Sequence, residues 1–326
     1  MKKLLSTGII LMAAALALTG CGGSTSSEAE APASSAAPAS SAAEPAAEES
    51  SEAESEAEAA GSDFDATYPI TVITRESGSG TRGAFIELFG IEVKDDAGNK
   101  VDQTTMEAVN ANSTNVVMTQ VAGDEYAIGY ISLGSVNDTV KPVKIEGVEA
   151  TAENVSNGTY QASRPFNIAT KGEPTGVAQD FINYIMSAEG QQVVEDNGYV
   201  KAAPEAAAFE STNPTGSIVV AGSSSVSPVM EKLIEAYTAL NTGATIELQT
   251  SDSTAGMTAA IDGTCDIGMA SRALKEEEAA QLTGLTIAND GIAVVVAPAN
   301  PAEDLTSEQV RQIFTGEVTT WEEVLG

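Results

Sequence analysis

Histidine is missing from all 326 residues. Its absence removes the Ser–His and Cys–His nucleophile pairs and the commonest metal ligand, so neither a metal nor a catalytic base of that kind is expected. Cysteine is almost missing too, with only Cys21 and Cys265. If Cys21 carries lipid, as its setting below implies, Cys265 has no partner and no intramolecular disulfide forms. The flanks of Cys265, Thr264-Cys265-Asp266-Ile267-Gly268, read as the start of a strand holding a small buried side chain. Aromatics make up 5% against 42% hydrophobic residues and 29 glycines, a mix that suits an α/β protein with many short turns. Positive charge is scarce: 15 Lys and Arg face 47 Asp and Glu, a net charge of −32. That balance disfavours nucleic acid or an anionic membrane surface as partner. It does not exclude an anionic ligand, because charges beyond about 8–10 Å are screened at physiological salt and the local site decides.

The first segment carries its own punctuation. Lys2 and Lys3 precede an apolar stretch from Leu4 to Leu18, and Leu18-Thr19-Gly20-Cys21 resembles the lipobox of bacterial lipoproteins. The resemblance implies a signal peptide over 1–20 that is cut off, lipid on Cys21, and a chain held on the extracytoplasmic face of a membrane. The apolar run is short for a spanning helix, which needs about 20 residues; an uncleaved anchor helix is the competing reading. Residues 22–62 are almost wholly Ser, Ala, Glu, Pro and Gly, with nine glutamates from Glu28 to Glu58 and no Lys or Arg among them. Such a segment cannot bury enough apolar surface to offset its ordering entropy, and like charges extend it. It reads as a disordered spacer, leaving 63–326 for the folded domain.

Chemistry is written in three turns. Ile70 to Thr74 is β-rich and runs into Arg75-Glu76-Ser77-Gly78-Ser79-Gly80-Thr81-Arg82, after which Gly83 to Phe89 has helical apolar spacing. A strand, Gly/Ser turn and helix in that order point free N–H groups and hydroxyls at one spot, where the helix dipole favours an anion. Arg75 adds a planar fork that suits phosphate-like oxygens. The spacing is not that of a P-loop, and helix capping by Ser79 or Thr81 is the plain structural alternative. The pattern returns as strand Ser217–Ala221, turn Gly222 to Pro228 and helix Val229–Leu240. It returns again as strand Ala244–Gln249, turn Thr250 to Gly256 and short helix Met257–Ile261, and a last strand, Cys265–Ala270, ends in Ser271-Arg272. A buried tetrahedral oxyanion needs donors from several directions, which this set supplies.

These residues resemble the phosphate-binding proteins of bacterial phosphate ABC importers (PstS type). The resemblance rests on Ala221 to Pro228, Asp266 to Arg272, Asp290-Gly291-Ile292-Ala293-Val294, and Gln312-Ile313-Phe314-Thr315-Gly316 before Trp321. Arg75 to Arg82, Ala127 to Ser132, and Arg164 to Val200 match as well. The match covers 69–203 and 216–326. It implies a two-lobed periplasmic-binding-protein type II fold with two crossover strands, near Ala162–Ala169 and Gly291–Ala297. Lobe one would take about 165–294, and lobe two about 69–160 plus 299–326. It implies that inorganic phosphate is bound between the lobes and handed to the permease and ATPase of an importer, without a cofactor and without catalysis. Carried onto matching positions, its ligands are Ser224, Ser225, Ser253, Arg75, Ser79, Gly80 and Thr81. Where some members have an aspartate that accepts the proton of hydrogen phosphate, this chain has Arg272, a donor, and Asp290 is the nominated acceptor. Other oxyanions (sulfate, molybdate, arsenate), a sensor or scaffold, and a phosphate-ester hydrolase are the competing functions.

The motifs stand in an unusual order for that family, with the segment like its second half first. Ala203 to Gly216 joins what would be the family's natural ends, and about 14 flexible residues reach roughly 20 Å. The order implies a circular permutation, which chains tolerate when the old ends are close; a truncated tandem or a domain swap is the alternative.

Overall fold

Runs rich in Val, Ile and Thr form the strands, and each hydroxyl-rich turn leads into a helix. The computed structural model describes residues 64–326; the signal segment, Cys21 and the whole Ser/Ala/Glu spacer lie outside the described residues. In chain order the elements begin with β1 (Thr71–Arg75), α1 (Gly80–Leu88), β2 (Glu92–Lys94), β3 (Lys100–Asp102) and β4 (Val109–Ala111). Next are α2 (Thr114–Ala122), β5 (Ala127–Ser132), β6 (Lys141–Pro142), β7 (Lys144–Ile145), α3 (Ala152–Ser156) and β8 (Ser163–Thr170). Then come α4 (Gly176–Ile185), α5 (Ala188–Asp196), β9 (Val200–Lys201), β10 (Gly216–Ser223), α6 (Ser227–Leu240), β11 (Ala244–Ser251) and α7 (Ser253–Asp262). The order closes with β12 (Ile267–Ala270), α8 (Glu276–Ala279), β13 (Thr283–Val296), β14 (Asp304–Leu305), α9 (Ser307–Thr315) and α10 (Glu322–Leu325).

One curled sheet runs β11-β10-β12-β8-β13-β5-β1-β4. Its two ends are parallel, as strand–helix–strand units require. The antiparallel strands β8 and β13 join them. β13 serves both halves: Thr283 to Gly291 pair with β8, and Ile292 to Val296 pair with β5. The change of partner falls at Gly291/Ile292, with no loop between: a continuous strand changes neighbour.

Two lobes result, each with its own core. In one, Phe166, Phe181, Tyr184, Met230, Leu233 and Tyr237 pack between sheet and helices. In the other, Phe85 stacks on Tyr130 with centroids 3.9 Å apart and meets Phe314 edge-on at 4.7 Å. The fully buried Trp321 completes that core and donates its indole N–H to the Tyr126 carbonyl at 3.0 Å. Phe64 lies edge-on to the Trp321 ring, the Ile70 N–H donates to the Thr319 carbonyl at 2.8 Å, and the Glu322 N–H donates to Ala66 at 2.7 Å. The first described residues therefore adjoin the last.

The joint over Ala203 to Gly216, read from sequence as a flexible coil, is pinned instead. Buried Asp180 accepts from Ser211 Oγ at 2.7 Å, from the Thr212 N–H at 2.8 Å and from Tyr237 at 3.0 Å, while Phe209 packs edge-on to Tyr184. Cys265 is a buried free cysteine just ahead of β12, and burial pushes its thiol up to about 11.

Trp321→Ala is expected to lower stability by about 3–5 kcal/mol, the usual cost of removing a large buried aromatic. Urea unfolding of the purified domain measures it, and a loss below about 1 kcal/mol would show that the junction of the two ends contributes little.

Candidate functional site

Parallel strands that finish side by side aim the helices after them at one place. β1 leads to α1, β4 to α2, β10 to α6 and β11 to α7. Ser79 caps α1 by accepting from the Arg82 N–H at 3.3 Å, and Ser113 caps α2 by accepting from the Val116 N–H at 3.3 Å. Asp252 caps α7 by accepting from the Ala255 N–H at 2.9 Å, and Pro228 opens α6. Helix N-termini carry unpaired N–H groups and partial positive charge, so their convergence makes an electropositive spot inside a strongly acidic chain.

Hydroxyls fill that spot. Thr81 Oγ1 of lobe two lies 2.8 Å from Ser225 Oγ and 3.3 Å from Ser271 Oγ of lobe one. Ser223 Oγ donates to Ser271 Oγ at 3.0 Å, and Ser253 Oγ accepts from the Ser271 N–H at 3.1 Å. Thr114 Oγ1 sits 3.2 Å from Ser225 Oγ. All of these are buried. Gly80 is required by the close approach: a Cβ there would lie 2.5 Å from Ser253 Oγ and 2.9 Å from Ser271 Oγ.

Two guanidiniums border the hydroxyls. Arg75, 2% exposed, donates from Nη2 to Ser224 Oγ at 3.0 Å and is gripped from behind by Glu76 at 2.7–2.8 Å. Its own N–H is fixed on Tyr130 Oη at 3.1 Å. Arg164, also buried, donates from Nη2 to Thr81 Oγ1 at 3.1 Å and pairs with Asp290 at 3.1 Å. Burial pushes the Asp290 carboxyl up to about 6 against the pull of Arg164, and the same burial draws Arg164 down to about 10.

Of the residues named from sequence, Arg75, Gly80, Thr81, Ser224, Ser225 and Ser253 are brought together. Ser79 lies in the same turn with its hydroxyl committed to the cap of α1. Two differ from expectation. Arg272 directs its guanidinium away, onto Glu278 at 2.7 and 2.8 Å, because the strand end turns outward there; its neighbour Ser271 faces the hydroxyls. Asp290 does not face them either, since its carboxylate is taken by Arg164 and the Gly134 N–H. The sequence patterns do not mark Thr114, Ser223, Ser271 or Arg164 as members of the cluster. Ser113-Thr114 before Asn115 to Ala122 is an ordinary cap signal that would have found the α2 terminus.

A two-lobed α/β chain with helix termini converging between the lobes has the build of a solute-binding protein. The model of the PBP superfamily domain matches residues 39–189 and 207–326. The phosphate-binding protein PstS 2 of Streptococcus agalactiae serotype V is 51% identical over 257 residues, 78% of this chain and 87% of that protein. The crystal structure of a phosphate-binding protein of a phosphate ABC transporter from Streptococcus pneumoniae TIGR4 is 46% identical, with a TM-score of 0.63 over 78% of this chain and 99% of that one. The phosphate-binding protein PstS of Bacillus subtilis is 32% identical over 133 residues, 40% of this chain and 41% of that protein. The chain belongs to the PBP superfamily and, within it, to the PstS-type phosphate-binding proteins.

Gly80→Ala is expected to hold the lobes apart, because its methyl group would occupy the contact with Ser253 and Ser271; small-angle scattering would show a larger radius of gyration. Gly83→Ala is the control: nothing lies within 4 Å of its Cβ position, and the helix should gain about 0.5–1 kcal/mol. Equal scattering from the two variants would contradict the close-approach account of Gly80.

Proposed function

We propose that the chain is an extracytoplasmic solute-binding lipoprotein that captures inorganic phosphate between its lobes and delivers it to an ABC importer. The observation that carries this reading is the buried ring of hydroxyls on converging helix N-termini, with Arg75 of one lobe bonded to Ser224 of the other. The names of the PstS relatives support it. Arg75, Gly80, Thr81, Ser224, Ser225 and Ser253 are the proposed ligands, with Thr114 and Ser271 beside them and Ser79 acting through its turn. Hydroxyls donate and accept, so Ser271 Oγ can accept a hydrogen bond from the P–OH of hydrogen phosphate, in place of the acceptor role the sequence suggests for Asp290. Because the ligand touches both lobes, it stabilises their closed arrangement, with β8 and β13 as the hinge.

The rest of the reading places a signal peptide over 1–20, lipid on Cys21, a spacer to residue 62, and a permease and ATPase as receivers. Among the described residues no helix is long and apolar enough to cross a membrane; in this reading the lipid on Cys21 supplies the attachment. The order of the two halves is proposed to be a circular permutation relative to relatives such as the Bacillus protein, whose match is confined to 40% of this chain. The Streptococcus agalactiae match runs through 78% of it, in keeping with a relative that shares this chain's order. Binding rather than hydrolysis is favoured because the buried hydroxyls have other hydroxyls and guanidiniums as partners, not a general base.

Isothermal calorimetry with phosphate and with sulfate tests the reading; phosphate binding with sulfate at least about a hundredfold weaker is expected. Arg75→Ala should weaken phosphate binding more than Ser224→Ala, by about 3–5 kcal/mol if the anion loses a buried charge partner. Equal affinities in the two variants would sink the assignment of Arg75.

A further inference from the structure

Arg164 stands on β8 directly opposite Asp290 on β13, one step before β13 exchanges β8 for β5. Their side chains are 2% and 0% exposed. A single nitrogen of Arg164, Nη2, reaches both Asp290 and Thr81 Oγ1, and Thr81 is the hydroxyl that meets Ser225 and Ser271. Nε and Nη1 of the same guanidinium are buried with no acceptor. Buried donors almost always find partners, and idle N–H groups on a charged side chain beside a hydroxyl cluster mark a place where an acceptor belongs. The plane of the guanidinium is held by Phe166, whose ring centroid is 5.4 Å from Cζ. Arg75, Tyr130 and Tyr199 are the other charged or titratable groups felt by Arg164; Tyr160 and Tyr199 are those around Asp290.

We propose that Arg164 is a second guanidinium of the phosphate site and a determinant of its preference for anion charge, while Asp290 behind it sets how much of that charge reaches the ligand. The proposal rests on the phosphate reading above and adds a residue that is absent from both the helix-terminus pattern and the ligand set the family resemblance implies. Asp290 and the anion then compete for one guanidinium. Removing the arginine weakens binding, whereas removing the carboxylate leaves Arg164 without a counter-charge until the anion arrives, and so strengthens it. A purely structural ion pair predicts the same sign for both. The competition fades in acid, because the Asp290 carboxyl, held near 6 by burial, becomes neutral there.

The test is calorimetry of phosphate binding to the full domain and to Arg164→Gln, Arg164→Lys and Asp290→Asn at pH 5 and pH 8, with the unfolding temperature followed in parallel. Arg164→Gln should bind about ten- to a hundredfold more weakly, in line with loss of a charged hydrogen-bond donor, and Arg164→Lys should recover part of that. Asp290→Asn should bind several-fold more tightly than wild type at pH 8 and equal it at pH 5; the ligand's own titration cancels in that ratio. Wild-type affinity in folded Arg164→Gln, or weakening by Asp290→Asn at both pH values, overturns the proposal. If Arg164→Gln does not fold, the sign and pH dependence of the Asp290→Asn effect decide it. A wild-type protein that binds no phosphate overturns the earlier reading and this one together, whereas the other adverse outcomes overturn this one alone.

Discussion

Two buried guanidiniums need counter-charge, and the centre of the molecule is arranged around that need. An arginine out of water and without a partner costs several kcal/mol. Arg75 meets its need locally, with the carboxylate of the next residue, Glu76, gripping it from behind. Arg164 meets its need across two strands, with Asp290 on β13. Each arginine is thus balanced by a carboxylate while it also donates to a cleft hydroxyl, Arg75 to Ser224 and Arg164 to Thr81. In a chain of net charge −32, such pairing, together with the helix N-termini, keeps the cleft receptive to an anion, because distant acidic charges are screened and these near groups are not.

The same arrangement ties recognition to motion. Thr81 and Thr114 come from one lobe, and Ser225 and Ser271 from the other, so their contacts exist only when the lobes approach. Gly80 removes the side chain that would prevent that approach. The covalent hinge is small by comparison: β8 and β13 carry the chain across, and the Arg164–Asp290 pair sits on them where the ladder changes partner. A ligand that contacts both lobes favours the closed arrangement through its differential affinity for it.

Much of this was legible in the chain because it is local. A strand, a Gly/Ser turn and a helix within about a dozen residues identify an N-terminus that points somewhere useful, and three such units carried Arg75, Gly80, Thr81, Ser224, Ser225 and Ser253. What could not be read depends on direction and distance. Ser271 and Arg272 are adjacent, and only the path of the strand end decides which faces inward; Glu278, six residues on, draws the arginine out. Arg164 lies in a plain strand sequence, Ser163-Arg164-Pro165, with no turn to advertise it, and its partner Asp290 is 126 positions away by number (290 less 164). Asp290 stands out in the sequence by its type, but its role depends on that distant partner. Helix starts were read late, at Gly83, Val229 and Met257, because apolar spacing begins only after the first turn; the helices open at Gly80, Ser227 and Ser253.

The proposed permutation of the halves would cost the fold little, for a reason visible at both joints. Where the first described residues meet the last, the backbone bonds of Ala66 and Ile70 with Glu322 and Thr319, and the packing of Phe64 on Trp321, hold the segments as neighbours without a covalent link. Where the link does exist, over Ala203 to Gly216, Asp180, itself held by the Tyr237 hydroxyl, ties it down by accepting from Ser211 and Thr212. An untethered loop of that length would leave its entropy cost unrelieved; a bonded one returns part of it as contacts. Since neither joint includes a cleft hydroxyl or either guanidinium, the order in which the chain visits its lobes can change while the ring of donors stays as it is.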